Sequence, residues 1–87
     1  MFVEIYGRAG CPFCVRAKAL AETSKNKLND FDFNYVNINE AGLTKDDLSK
    51  LVGKPVQTVP QVFIDKTPIG GCTDFEAYMK ENFNIVA

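Results

Sequence analysis

Phe2-Val3-Glu4-Ile5-Tyr6-Gly7-Arg8-Ala9-Gly10-Cys11-Pro12-Phe13-Cys14 is the stretch on which the fold turns. Phe2 to Tyr6 is an apolar run that reads as a strand buried on both faces apart from Glu4. Pro12 to about Leu28 reads as a helix. Cys14, Ala17, Ala21 and Leu28 recur at helical spacing, and Arg16, Lys18, Glu22 and Lys25 occupy the rest of the cylinder. The Cys-x-x-Cys therefore stands at a strand-to-helix turn, its first sulfur beside the unpaired N–H groups of a helix start. Those donors and the positive end of the macrodipole favour a thiolate. They lower a cysteine pKa from about 8.5 into the range ~3.5–7.5. Pro12 suits the first helical position, where an N–H is not needed.

Beyond the helix, Asn29-Asp30 is a break and Phe31 to Ile38 reads as a second strand, with Phe31, Phe33 and Tyr35 on one phase. Strand, helix, strand in that order implies a parallel pair with a right-handed crossover. Thr44 is a helix N-cap with Asp47 three residues on, and Leu43 and Leu48 hold the staple positions. Gly53 and Pro55 end that helix. Gln61 to Ile64 and Thr67 to Gly70 form a hairpin around Asp65-Lys66. A last helix is predicted from Thr73, with Glu76 completing a capping box and Phe75, Met79 and Phe83 turned to the core. The order βαβαββα predicts an α/β fold, a four-stranded mixed sheet with helices on both faces, in one domain over residues 1–87.

Composition narrows the function. With 11 acidic and 10 basic residues, no basic stripe supports nucleic-acid binding. No apolar run approaches a membrane span, and the first segment reads as a strand and not as a signal peptide. An odd count of three cysteines argues against a secreted disulfide framework, so a reducing cytoplasm is the expected compartment. The absence of histidine excludes Cys–His and Ser–His–Asp mechanisms and any imidazole-based zinc site. Backbone dipoles and cations must then activate Cys11, and Arg8, Arg16 and Lys18 are the cations near it in sequence.

Three motifs carry chemistry. Cys11 and Cys14 lack the further ligands of a zinc site, with only Cys72 left, and so short a loop gains little from a structural disulfide. A redox pair remains, with Cys11 as the exposed nucleophile and Cys14, one turn into the helix, as the resolving thiol. Thr58-Val59-Pro60 reads either as an ordinary proline at a strand start or as a cis Val59–Pro60 bond. The cis form would turn the Val59 backbone outward toward an extended peptide-like ligand. Gly70-Gly71-Cys72-Thr73-Asp74 reads either as a turn and a capped helix or as a place where backbone and the Asp74 carboxylate meet a ligand's ammonium group.

Together, and in this order and spacing, the three motifs resemble the glutaredoxins, specifically the short bacterial dithiol type (glutaredoxin 1-like). The likeness extends to Gly7-Arg8-x-Gly10-Cys11-Pro12-x-Cys14-Val15-Arg16-Ala17-Lys18 and to Gly53-Lys54-Pro55-Val56-x-Thr58-Val59-Pro60-Gln61. The resemblance implies a thioredoxin-like fold and glutathione-dependent thiol–disulfide exchange, with glutathione as co-substrate and no tightly bound cofactor or metal. It implies that Val59, beside Pro60, takes the cysteinyl backbone of glutathione. Thr73 and Asp74 would take the γ-glutamyl end, the glycyl carboxylate would lie toward Thr58, Phe13 would line the site, and Arg8 would attract the anionic tripeptide. Glutathionylated or disulfide-containing proteins are the implied partners, ribonucleotide reductase among them, and the chain is expected to act as a monomer.

Two positions depart from the family pattern. Phe13 stands where Tyr is more common, keeping the ring and losing a hydroxyl. Cys72 stands where close relatives often carry a Tyr that packs near the tripeptide. Cys72 reads as a small hydrophobe, the alternative being a third thiol open to glutathionylation. Two other functions compete: a carrier holding a [2Fe–2S] cluster between two Cys11 thiolates and glutathione, and a thioredoxin-like reductant. Pro12 and Cys14 argue against the first. The lack of any Trp and of Cys-Gly-Pro-Cys argues against the second.

Overall fold

The computed structural model describes residues 1–86. Its elements follow the expected order: β1 (Phe2–Gly7), α1 (Pro12–Lys27), β2 (Asp32–Asn37), α2 (Lys45–Val52), β3 (Gln61–Ile64), β4 (Thr67–Gly70) and α3 (Cys72–Phe83). The sheet order is β2-β1-β3-β4, with β1 and β2 parallel and the other neighbours antiparallel. The crossover through α1 makes the first pair parallel, because chain leaving the end of β1 must return along a helix to begin β2 beside its start. At the β3–β4 hairpin, Asp65 and Lys66 have φ of 47° and 73°. Two successive left-handed residues give the twist a two-residue hairpin needs. The Asp65 carboxylate accepts the Phe2 N–H at 2.8 Å, which ties the hairpin to the start of β1.

Helices cover the two faces unequally. Val3 and Ile5 of β1, Val62 and Ile64 of β3, Ala17, Leu20 and Ala21 of α1 and Phe75 and Met79 of α3 form the larger core. On the other face α2 closes a smaller cluster of Ile38, Leu48 and Val56. Its helix is punctuated as its sequence demands: Thr44 Oγ1 accepts the Asp47 N–H at 3.2 Å, Asp47 accepts the Thr44 N–H at 2.8 Å, and Gly53 closes the end at φ 87°. Leu43 packs beside Leu48 in that cluster, as the staple requires.

Several expectations are corrected. β1 is buried on one face only. Glu4 and Tyr6 remain half-buried and Phe2 is exposed, because the short α2 covers too little of the second face. β2 is one residue shorter at each end than predicted, although Phe31 and Ile38 are both buried just outside it. The last helix starts at Cys72, not Thr73, and Asp74, not Glu76, closes its cap by accepting the Gly71 N–H at 3.0 Å. Gly70 makes this possible: at φ 116° it turns the chain so that the third helical residue reaches back, and a Cβ there would run into the Asp74 carboxylate. Phe83 is 39% exposed and not part of the core: it lies in the last turn of α3, beside an opening it shares with Met1, Leu28 and Phe31.

Candidate active site

Cys11 is the N-cap of α1. Its backbone is extended (φ −100°), Pro12 follows at the start of the helix, and its Sγ accepts the Cys14 N–H at 3.4 Å. The sulfur also lies 3.8 Å from the Val59 carbonyl, to which the thiol donates across the Val59–Pro60 bond, which is cis. Cys11 is only 5% exposed, a correction to its expected exposure, while Cys14 behind it is fully buried. Pro12, Phe13 and Val59 close around the Cys11 sulfur and leave it at the edge of a shallow opening of about 230 Å³.

Burial pushes the Cys11 thiol up, but that effect is outweighed by the hydrogen bond with Cys14, the amides of Cys14 and Phe13, and the charge of Arg8. The net result is a pKa held below the ordinary thiol value. Cys14 moves the other way: burial raises it first, and the neighbouring Cys11 sulfur raises it further. A sulfur shifted toward the thiolate beside a second shifted toward the thiol is the arrangement thiol–disulfide exchange needs. Of the three cations near in sequence, only Arg8 contributes to Cys11. Arg16 Nη2 instead binds both carboxylate oxygens of Glu76 at 2.7 and 2.8 Å, and Lys18 sits 5.4 Å over the Tyr35 ring. Each of the two is engaged by a partner on another element, Arg16 by Glu76 of α3 and Lys18 by Tyr35 of β2.

A lowered pKa has a direct consequence. A group shifted down keeps its thiolate at pH values where a free thiol is protonated. Iodoacetamide should therefore alkylate Cys11 with a pH midpoint below the free-cysteine value of about 8.5. Following carbamidomethylation of Cys11 by mass spectrometry across pH 4–10 checks it, and a midpoint at or above the free value would contradict the electrostatics described.

Phe13, Thr58, Val59, Pro60, Cys72, Thr73 and Asp74, all singled out from sequence, line one groove of about 360 Å³ next to Cys11. Arg8 lies apart, on the smaller opening that also holds Cys11. The two share Phe13, Thr58 and Val59. Phe13 is half exposed, its ring 5.3 Å from the Arg16 guanidinium. Asp74 uses Oδ2 on the Gly71 amide. Cys72 is 4% exposed and belongs to the larger core, so it packs as a small hydrophobe. Burial, followed by the Glu76 charge, raises its pKa. Gly71 of the Gly70-Gly71 motif lines the larger groove as well, whereas Lys45 and Gln57, on the smaller opening, were missed from sequence because nothing in their local pattern separates them from ordinary loop and cap residues. Among the described residues, no group of three or more His, Cys, Asp or Glu side chains is placed to hold a metal ion.

The glutaredoxin family model matches residues 3–69. This chain belongs to the glutaredoxin family. The glutaredoxin of Haemophilus influenzae is 69% identical over 87 residues and covers the whole of both chains. Glutaredoxin 1 of Escherichia coli is 56% identical over 84 residues, covering 97% of this chain and 99% of that one. The structure of reduced E. coli glutaredoxin matches with a TM-score of 0.88 at 55% identity, over 97% of this chain and 99% of that one. The protein is thus a glutaredoxin 1-like thiol–disulfide oxidoreductase with a thioredoxin-like fold. Among the described residues, no helix is long and apolar enough to cross a membrane.

Proposed function

We propose that this glutaredoxin draws its electrons from glutathione, with Cys11 as nucleophile and Cys14 as resolving thiol. The Cys11 thiolate attacks a substrate disulfide, forming a Cys11 mixed disulfide and releasing the other sulfur as a thiolate. On a protein disulfide, Cys14 then attacks the Cys11 sulfur, a Cys11–Cys14 disulfide forms, and the substrate leaves as a dithiol. Two glutathione molecules reduce that disulfide in two exchanges and leave as glutathione disulfide. Where the substrate is a glutathione mixed disulfide, Cys11 takes the glutathionyl group and a second glutathione removes it.

The observation that carries this reading is the continuity of the Cys11 opening with the groove ending at Thr73 and Asp74, through shared Phe13, Thr58 and Val59. A groove of about 360 Å³ suits a tripeptide, being within the usual range of ~300–1,000 Å³ for small-ligand sites. In this reading the tripeptide's sulfur meets Cys11 and its cysteinyl backbone pairs with Val59. Its γ-glutamyl ammonium goes to Asp74 Oδ1, which has no partner among the described residues, with Thr73 beside it. The glycyl carboxylate lies toward Thr58 and Arg8, and Pro60 and Cys72 complete the wall, Cys72 giving less surface than the family's usual Tyr. The solved structures of E. coli glutaredoxin in reduced and oxidized forms support a cycling dithiol. The resemblance supports a cytoplasmic monomer acting on glutathionylated and disulfide-containing proteins, with ribonucleotide reductase as one acceptor.

The test is reduction of a small glutathione mixed disulfide, coupled through glutathione reductase to NADPH consumption. Turnover that depends on both the protein and glutathione is expected. No turnover there, together with reduction by a flavoprotein thioredoxin reductase, would replace glutathione as the electron source.

A further inference from the structure

Tyr35 lies on the neighbouring parallel strand, opposite Ile5 and two residues before the end of β2. Its hydroxyl reaches under the start of α1 and donates to the Arg8 carbonyl at 3.2 Å. The same hydroxyl borders the sulfur of Cys14. A Cβ added to Gly7 would lie 2.5 Å from the Tyr35 hydroxyl and 3.0 Å from Cys14 Sγ, so the two groups flank one bare backbone position. Gly7 leaves room for both. Cys14 is completely buried, and the mechanism asks it to become an anion there. A buried thiolate with no water needs a donor from the protein.

We infer that Tyr35 is a further residue of the reaction: its hydroxyl turns from the Arg8 carbonyl to the Cys14 sulfur and stabilises the thiolate that resolves the mixed disulfide. The inference rests on the resolving role proposed for Cys14. In the step, Cys14 Sγ bonds to Cys11 Sγ, the bond from Cys11 to the substrate sulfur breaks, and the electron pair leaves on that sulfur. The proton lost by Cys14 ends on the departing thiolate. Tyr35 neither gains nor loses a proton. Its pKa is pushed up to about 12 by burial and by the Cys14 and Cys11 charges, so the hydroxyl stays a donor throughout the working pH range. The other groups facing the pair are the Lys18 ammonium over the Tyr35 ring, the Arg8 amide at Cys14, and Cys11 itself.

The test is Tyr35→Phe, which keeps the ring and removes only the hydroxyl, compared with the parent, both in a Cys72→Ser background so that two sulfurs report. Mixing with 5,5′-dithiobis(2-nitrobenzoate) in stopped flow releases one thionitrobenzoate as Cys11 attacks and a second as Cys14 resolves. Loss of a charge-assisted hydrogen bond should raise the pH midpoint of the second release by about one unit. A tenfold smaller thiolate fraction, offset by the higher nucleophilicity of a more basic thiolate (Brønsted slope ~0.4–0.5), makes that release roughly threefold slower below the midpoint. Above it the variant should be faster, and the two pH curves should cross. Equal midpoints, or slowing by one factor at every pH, would overturn the role of Tyr35. A second release that persists in Cys14→Ser would instead overturn the resolving role of Cys14.

Discussion

Cys11→Ser is expected to lose thiol–disulfide exchange on every substrate, by on the order of 10³-fold or more, because a hydroxyl at that N-cap cannot ionise near neutrality and the covalent route disappears. The fold should survive, since serine is itself a favoured N-cap and can accept the Cys14 N–H. Cys14→Ser should divide the activities. Cys11 keeps its helix position, its amide donors and the Arg8 charge, and a serine hydroxyl can still donate to it. Reduction of glutathione mixed disulfides should therefore continue while reduction of protein disulfides falls, because the Cys11 mixed disulfide with a protein has no internal thiol to release it. Parallel assays with a small glutathione mixed disulfide and with insulin separate the two. The opposite pattern, with Cys14→Ser inert and Cys11→Ser active, would reverse the assigned roles.

Phe75→Ala should be the most damaging single change to the fold. Phe75 is fully buried within the larger core, and it follows Asp74 in the first turn of α3. Removing such a ring costs about 3–5 kcal/mol through lost burial and the cavity left behind. A domain of this size has roughly 5–15 kcal/mol in total. At about 4–8 °C per kcal/mol, the thermal midpoint should drop by roughly 15–30 °C. Phe83→Ala is the control: its ring is already partly in water, so the loss should stay near 1 kcal/mol or below. Thermal unfolding followed by circular dichroism measures both. Equal losses from the two would mean that the core is not held where α3 crosses the sheet.

Residues adjacent in sequence were the legible ones. The strand leading into Cys11-Pro12-Phe13-Cys14, the Thr44–Asp47 cap and the Asp65-Lys66 hairpin are all local, and each was readable because turn and cap chemistry depends on neighbours a few residues apart. The groove-lining residues from Thr58 to Pro60 and from Cys72 to Asp74, the candidate site, were singled out for another reason: their order and spacing match a family pattern. The capping of α3 was misread although it too is local. Thr73 and Glu76 satisfy the capping pattern, but Gly70 and Gly71 let Asp74 take the role first and free Glu76 for Arg16.

From sequence alone came the βαβαββα order, the redox pair at a helix start and the family resemblance. Tertiary structure decided what depends on residues far apart in the chain: that Cys11 is nearly covered, that Arg16 serves Glu76 and not the thiolate, that Cys72 belongs to the core, and that Tyr35 comes to lie beside Cys14 over an empty position at Gly7. The reason is range. Hydrogen bonds and dipoles within a turn are set by neighbouring residues, whereas burial and the charge that reaches a buried sulfur depend on which strands and helices pack around it.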